Sequence, residues 1–144
     1  MSKIRVLFLD DNTVVKNYIK ELQNTKENVE VVGVVESATQ AAKMFNELLP
    51  DVIIDFKMPN LNDGFGETYR MGMINPEVNV IVITAYADEE NRYQSFQSDA
   101  SGYLMLKESA TIELISAINT VAKSNKFISP EVFWIIVKRL TQAC

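Results

Sequence analysis

The chain has 144 residues, 47% of them apolar and 23% charged, with a formal net charge of −5. That length carries one domain with a sizeable core, and the acidic balance argues against a basic face that grips nucleic acid. There is no histidine and a single cysteine, Cys144, which excludes histidine-based nucleophilic triads, histidine metal sites and internal disulfides.

The first apolar run, residues 4–9, begins almost at the N-terminus, with no signal peptide before it. A helical pattern comes next in Val14, Val15, Tyr18, Ile19 and Leu22. The run 29–35 is the second strand. The next helix carries Ala38, Ala41, Ala42, Phe45, Leu48 and Leu49, and Ser37 and Gln40 at its start have capping-box spacing. Residues 52–54 are the third strand, and a helix runs through Phe65, Tyr69 and Met73. Residues 78–83 are the fourth strand, with a weaker helical pattern after Asp88. Residues 102–106 are the fifth, before a helix with Ile112, Ile115, Ile118, Val121 and Ala122. A sixth helix starts at Ser129, a good N-cap, with Pro130 at its first position. It is apolar nearly all round in Val132, Phe133, Trp134, Ile135, Ile136, Val137 and Leu140, so it needs cover.

The strands alternate little between apolar and polar, as parallel strands buried on both faces do. Five alternations of strand and helix predict an α/β fold. With right-handed crossovers, the expected form is a flavodoxin-like five-stranded parallel sheet of order 2-1-3-4-5. Helices cover both faces, and the C-terminal helix is extra. Residues 1–124 form the expected domain, and 125–144 a linker with the sixth helix. All apolar runs are shorter than the ~20 residues of a membrane helix, so no membrane contact is expected and the cytoplasm is the expected location.

Function in such a sheet sits at the carboxyl ends of the strands. Asp10 and Asp11 end the first strand, Asp55 the third, and Thr84 and Ala85 the fourth, while the fifth runs toward Lys107. A single aspartate after a strand is ordinarily a helix cap. Three carboxylates, a hydroxyl and an ammonium from four strands are not explained that way. Two unit charges ~4 Å apart repel by about 4 kcal/mol at an effective dielectric of 20, so the cluster calls for a cation. All-oxygen donors favour Mg²⁺, which Mn²⁺ could replace.

The stretches Val6-Leu-Phe-Leu-Asp-Asp11, Asp55-Phe-Lys-Met-Pro59, Ile83-Thr-Ala85 and Gly102-Tyr to Lys107 resemble the signature of the receiver (CheY-like) domain of bacterial two-component response regulators. The likeness covers about residues 3–124. The stretch Lys126-Phe-Ile-Ser-Pro-Glu-Val132 resembles the segment after receivers of the NarL/FixJ (LuxR-type) transcription-factor group. The resemblance implies that Asp55 takes a phosphoryl group from a sensor histidine kinase. Asp10, Asp11, Asp55 and the backbone carbonyl of Lys57 would hold Mg²⁺. Thr84, Ala85 and Lys107 would bind the phosphoryl oxygens. Thr84 and Tyr103 would be the switch pair, and the side chains of Lys57 and Tyr86 would tune the lifetime of the phosphate. It further implies a phosphoacceptor rather than an enzyme, acting only in its own phosphorylation and slow dephosphorylation. A homodimer would form through the face of helix four, strand five and helix five, or through the sixth helix. DNA would be reached only through an output domain.

Three spacings depart from the family pattern: one residue fewer between Pro50 and Asp55, one more between Pro59 and Gly64, and one more between Tyr103 and Lys107. The last gives Tyr103 and Lys107 the same strand parity, and a β-bulge between them would restore opposite directions. Glu108 replaces the family's proline, so a trans bond is expected after Lys107. Two other readings stand beside this one. The first is a receiver-like binding module that takes no phosphate. The second is a haloacid-dehalogenase-type phosphatase with Asp10 as nucleophile, although Asn12 stands where that chemistry needs a carboxylic acid.

Overall fold

Consecutive Val, Ile and Leu in a strand need apolar cover on both faces, and a sheet layered between helices supplies it. The computed structural model describes residues 3–9, 13–25, 28–57, 78–85, 90, 100–106 and 111–142. In chain order these form β1 (Ile4–Leu9), α1 (Thr13–Asn24), β2 (Val29–Val35), α2 (Ala38–Leu48), β3 (Val52–Lys57), β4 (Asn79–Thr84), β5 (Gly102–Met105), α3 (Thr111–Ala122), β6 (Phe127–Ile128) and α4 (Pro130–Gln142). Thus α3 and α4 are the fifth and sixth helices expected from the sequence. The helices expected around Tyr69 and after Asp88 lie outside the described residues.

All strand pairs are parallel, in the order β2-β1-β3-β4-β5-β6. The expected order 2-1-3-4-5 is present, but among the described residues the sheet has six strands rather than five. Residues 127–128, read from the sequence as linker, join its edge. The Phe127 N–H donates to the Ser101 carbonyl (3.0 Å) and the Ser129 N–H to the Tyr103 carbonyl (3.1 Å). A strand this short has no apolar period to announce it in the sequence. β3 also runs two residues past Asp55, because Phe56 and Lys57 keep pairing with Ile83 and Thr84.

On one face of the sheet, Val15, Tyr18 and Leu22 of α1 and Leu114, Ala117, Ile118 and Val121 of α3 bury Val6, Phe8, Ile54, Phe56, Ile81, Ile83 and Leu104. An aromatic group lies at its centre: Phe8 stacks on Phe56 (centroids 6.1 Å apart, 22° between planes), and Tyr18 meets Phe56 edge-on (5.5 Å, 61°). On the other face, Ala41 of α2 is buried with Leu7, Leu9, Val35, Ile53, Val80 and Val82, and Met44 and Leu48 pack at its margin. The helices therefore lie on both faces, as alternation of strand and helix requires.

The capping residues read from the sequence act as expected. The Gln40 N–H donates to Ser37 Oγ (3.1 Å), while Gln40 Oε1 accepts from the Glu36 N–H (2.7 Å). At the other end of α2, Leu49 is left-handed (φ 46°) and its N–H donates to the Phe45 carbonyl (2.8 Å). Arg5 closes the same end: Nε and Nη2 donate to the Leu48 carbonyl at 3.0 and 2.7 Å. This satisfies a carbonyl the helix leaves open and ties α2 to β1. Ser129 caps α4, its Oγ accepting from the Val132 N–H (3.3 Å) and its carbonyl from the Phe133 N–H (2.9 Å). The cover expected for α4 exists on one side only. Val132 is buried and the helix rests on β5, whereas Phe133, Trp134 and Leu140 stay exposed.

Candidate functional site

β3 lies between β1 and β4, so a side chain near its carboxyl end has a strand on either hand. Asp55 occupies that place with only 1% of its surface exposed. Its Cα partners are Leu9 on β1 and Val82 on β4. By strand alternation Ile53 and Asp55 face the α2 side, and Ile54 and Phe56 the α1/α3 side. A carboxylate at this depth is costly to keep unless it is hydrogen-bonded, paired or used. Its neighbours Ile53, Val80 and Val82 on the same face are apolar.

Thr84 is the second member. It ends β4, is fully buried, and pairs with Lys57 on β3 and Met105 on β5. Val80, Val82 and Thr84 share parity, so Thr84 faces the same side as Asp55. It stands one strand over and two residues further along. With strands ~4.8 Å apart and alternate residues ~6.6 Å apart, the two Cα atoms are about 8 Å from each other. Side chains on one face at that separation are near enough to reach a common small anion. Ala85 comes next, half-buried, and its side chain packs against the α1/α3-side core.

Tyr103 is the third. It pairs with Val82, the same residue that pairs with Asp55, so Asp55, Val82 and Tyr103 form one row across the sheet. The half-buried ring packs against the α2-side core, and its hydroxyl accepts from the Ala100 N–H (3.0 Å). β4 and β5 pair without a register shift from Gly102 to Met105, so there is no bulge within that span. The Leu106 N–H extends the ladder to the Thr84 carbonyl (2.8 Å).

Asp55, Thr84 and Tyr103 are thus brought to one face, with the backbone of Lys57 beside Thr84. Asp10 and Asp11, next after Leu9 in sequence, lie outside the described residues, as do Tyr86, Lys107 and Glu108. Sequence reasoning missed Ala100, whose N–H meets the Tyr103 hydroxyl, and the hold of the Ser129 N–H on the Tyr103 carbonyl. The residue types at Ala100 and Ser129 mark neither, because each takes part through its backbone N–H. Among the described residues, no helix is long and apolar enough to cross a membrane.

Comparison with known proteins agrees with this geometry. The family model of the response regulator receiver domain matches residues 6–119. The chain is 31% identical over 130 residues to the response regulator GacA of Pseudomonas viridiflava, covering 90% of this chain and 60% of that protein. It is 31% identical over 138 residues to the transcriptional regulatory protein DegU of Brevibacillus brevis, covering 95% and 58%. The chain therefore spans about 60% of the length of these curated relatives. In fold it is similar to a LuxR-family two-component response regulator from Aurantimonas sp. SI85-9A1, with a TM-score of 0.78, 22% identity, and 97% of this chain and 99% of that one covered.

Proposed function

The chain belongs to the response regulator receiver domain family, whose general role is to accept a phosphoryl group on an aspartate in two-component signalling, and on that premise we propose that Asp55 is the acceptor here. The observation that carries the proposal is a buried carboxylate at the carboxyl end of the central strand, on one face with the buried hydroxyl of Thr84. A carboxylate oxygen of Asp55 attacks the phosphorus of a phosphohistidine on a sensor kinase. The phosphorus–nitrogen bond breaks, and its electron pair returns to the imidazole. The product is an aspartyl phosphate, and the Thr84 hydroxyl donates to one of its oxygens. The Ala85 backbone and the Lys107 ammonium are assigned to the others, since phosphoryl transfer depends mainly on positioning and charge neutralisation.

The donor set fits a hard cation. Asp55, Asp10, Asp11 and the Lys57 carbonyl offer only oxygen, and the chain has no histidine. We assign Mg²⁺ to these residues. When bound it would offset the negative charge gathered around Asp55. Tyr103 is the proposed switch residue beside Thr84, and Lys57 and Tyr86 the residues that set how long the phosphate survives. The domain is a phosphoacceptor, not a turnover catalyst. Its partners are a histidine kinase and a second copy, through the face that includes β5 and α3 or through α4. DNA contact is assigned to an output domain of a transcriptional regulator such as DegU, not to this acidic receiver. The proposed location is the cytoplasm.

Intact-mass measurement with Mg²⁺ and a small phosphodonor tests the assignment. The expected result is a gain of one phosphoryl group in the native chain and none in Asp55→Asn, with both folded by circular dichroism. An unmodified native chain would favour a phosphate-independent module, and turnover surviving in Asp55→Asn would favour Asp10 chemistry.

A further inference from the structure

The hydrogen bonds around Ala100 link the face that carries Asp55 to the C-terminal helix. Ala100 is buried just before β5. Its N–H donates to the Tyr103 hydroxyl (3.0 Å), and its carbonyl accepts from Lys126 Nζ (3.2 Å). The next carbonyl, that of Ser101, accepts from the Phe127 N–H, and the Tyr103 carbonyl accepts from the Ser129 N–H. Lys126, Phe127 and Ser129 therefore all hang on the segment from Ala100 to Tyr103. Ser129 is also the buried cap of α4. Tyr103 holds both ends of this arrangement, its hydroxyl at Ala100 and its carbonyl at Ser129.

We infer that the Ala100 peptide, clasped by Tyr103 and Lys126, is the element through which phosphorylation loosens β6 and α4 from the edge of the sheet. The inference rests on the reading of Asp55 as the acceptor. A phosphoryl group there turns the single negative charge of the carboxylate into about two and adds considerable bulk to the face where Asp55 and Tyr103 both pair with Val82. It also draws the Thr84 hydroxyl, one strand from Tyr103. A ring that shifts in response withdraws its hydroxyl from the Ala100 N–H. The turn at Ala100 and Ser101 then loses its fixed position, and with it the carbonyls that accept from Lys126 and Phe127 at the two-residue strand β6. A short edge strand with few ladder bonds is a low-stability unit that opens locally. α4, with its exposed Phe133, Trp134 and Leu140, is the element so released.

The test compares the full chain with Tyr103→Phe, which keeps the ring and removes the hydroxyl, and with Lys126→Met. Without phosphodonor, amide exchange at Phe127 and Ser129 should be about tenfold faster in Tyr103→Phe, the scale expected when a buried N–H loses its partner. Exchange at Leu9 and Ile54 should be unchanged, which separates a local release from global destabilisation. Lys126→Met should speed the same two amides. Native rates at Phe127 and Ser129 in Tyr103→Phe would overturn the inference. With Mg²⁺ and phosphodonor, Trp134 is a built-in reporter, being the chain's single tryptophan and lying on α4. Its emission and its quenching by acrylamide should change in the native chain as the mass rises by one phosphoryl group, and change less in Tyr103→Phe. A mass gain with unchanged Trp134 emission would overturn the coupling and leave Asp55 as acceptor. No mass gain would overturn the acceptor reading, and the exchange comparison would then judge the clasp by itself.

Discussion

Replacing Phe56 by leucine tests whether the aromatic group under the sheet supports the acceptor strand. Phe56 directly succeeds Asp55 and is fully buried on the opposite face. It touches Phe8 at 6.1 Å and Tyr18 at 5.5 Å between ring centroids. Leucine is nearly as apolar, so the transfer term changes little. Each aromatic contact contributes about 0.5–1.5 kcal/mol beyond its area, and the unfilled volume adds ~0.5 kcal/mol. The expected loss is roughly 1.5–3.5 kcal/mol. A chain of this length has a stability of order 7–20 kcal/mol at ~0.05–0.15 per residue, so the variant still folds. Its melting temperature should fall by about 5–10 °C. Urea unfolding monitored by circular dichroism measures the loss, and an unchanged slope against urea shows that the folded state keeps its compactness. Phosphoryl acceptance should slow in parallel, because the strand that aims Asp55 has lost its backing. A double cycle with Phe8→Leu should give a coupling of about 0.5–1.5 kcal/mol. A loss below ~0.5 kcal/mol with native acceptance would refute the reasoning.

The same geometry sets three further outcomes. Leu49→Gly relieves a left-handed leucine that is 60% exposed and buries little. It should raise stability by about 0.5–1 kcal/mol, read as a higher urea midpoint, and a lower midpoint would show that Leu49 packs in solution. Thr84→Ala removes the buried hydroxyl. Its rate of phosphoryl gain by intact mass should drop about 10–100-fold, the scale of one hydrogen bond to a charged group, and a native rate would remove Thr84 from the site. Mg²⁺ at ten times its dissociation constant should add about 1.4 kcal/mol to the native chain. Asp11→Asn should blunt the resulting rise in melting temperature, and melting curves that ignore Mg²⁺ in both proteins would count against the proposed cation site.

Much of this protein was legible without coordinates because its signals are local. Apolar runs without alternation mark strands covered on both faces, and Ser37 and Ser129 mark helix starts because a side-chain oxygen there satisfies an open backbone N–H. Chirality and alternation leave few strand orders, and the flavodoxin-like one expected among them is present. Asp55 and Thr84 stood out because carboxylates and hydroxyls at several strand ends have no common structural explanation. The tertiary structure alone decided what depends on neighbours distant in sequence. It showed that β3 continues past Asp55, where Phe56 and Lys57 pair with Ile83 and Thr84 and Phe56 meets Phe8 and Tyr18, and that residues 127–128 join the sheet. It also placed the Tyr103 hydroxyl at the Ala100 peptide. Each joins residues distant in sequence or has a backbone group as one partner, and backbone groups are carried alike by every residue. A side chain's identity does not say which partner it will meet, and only the folded sheet selects it.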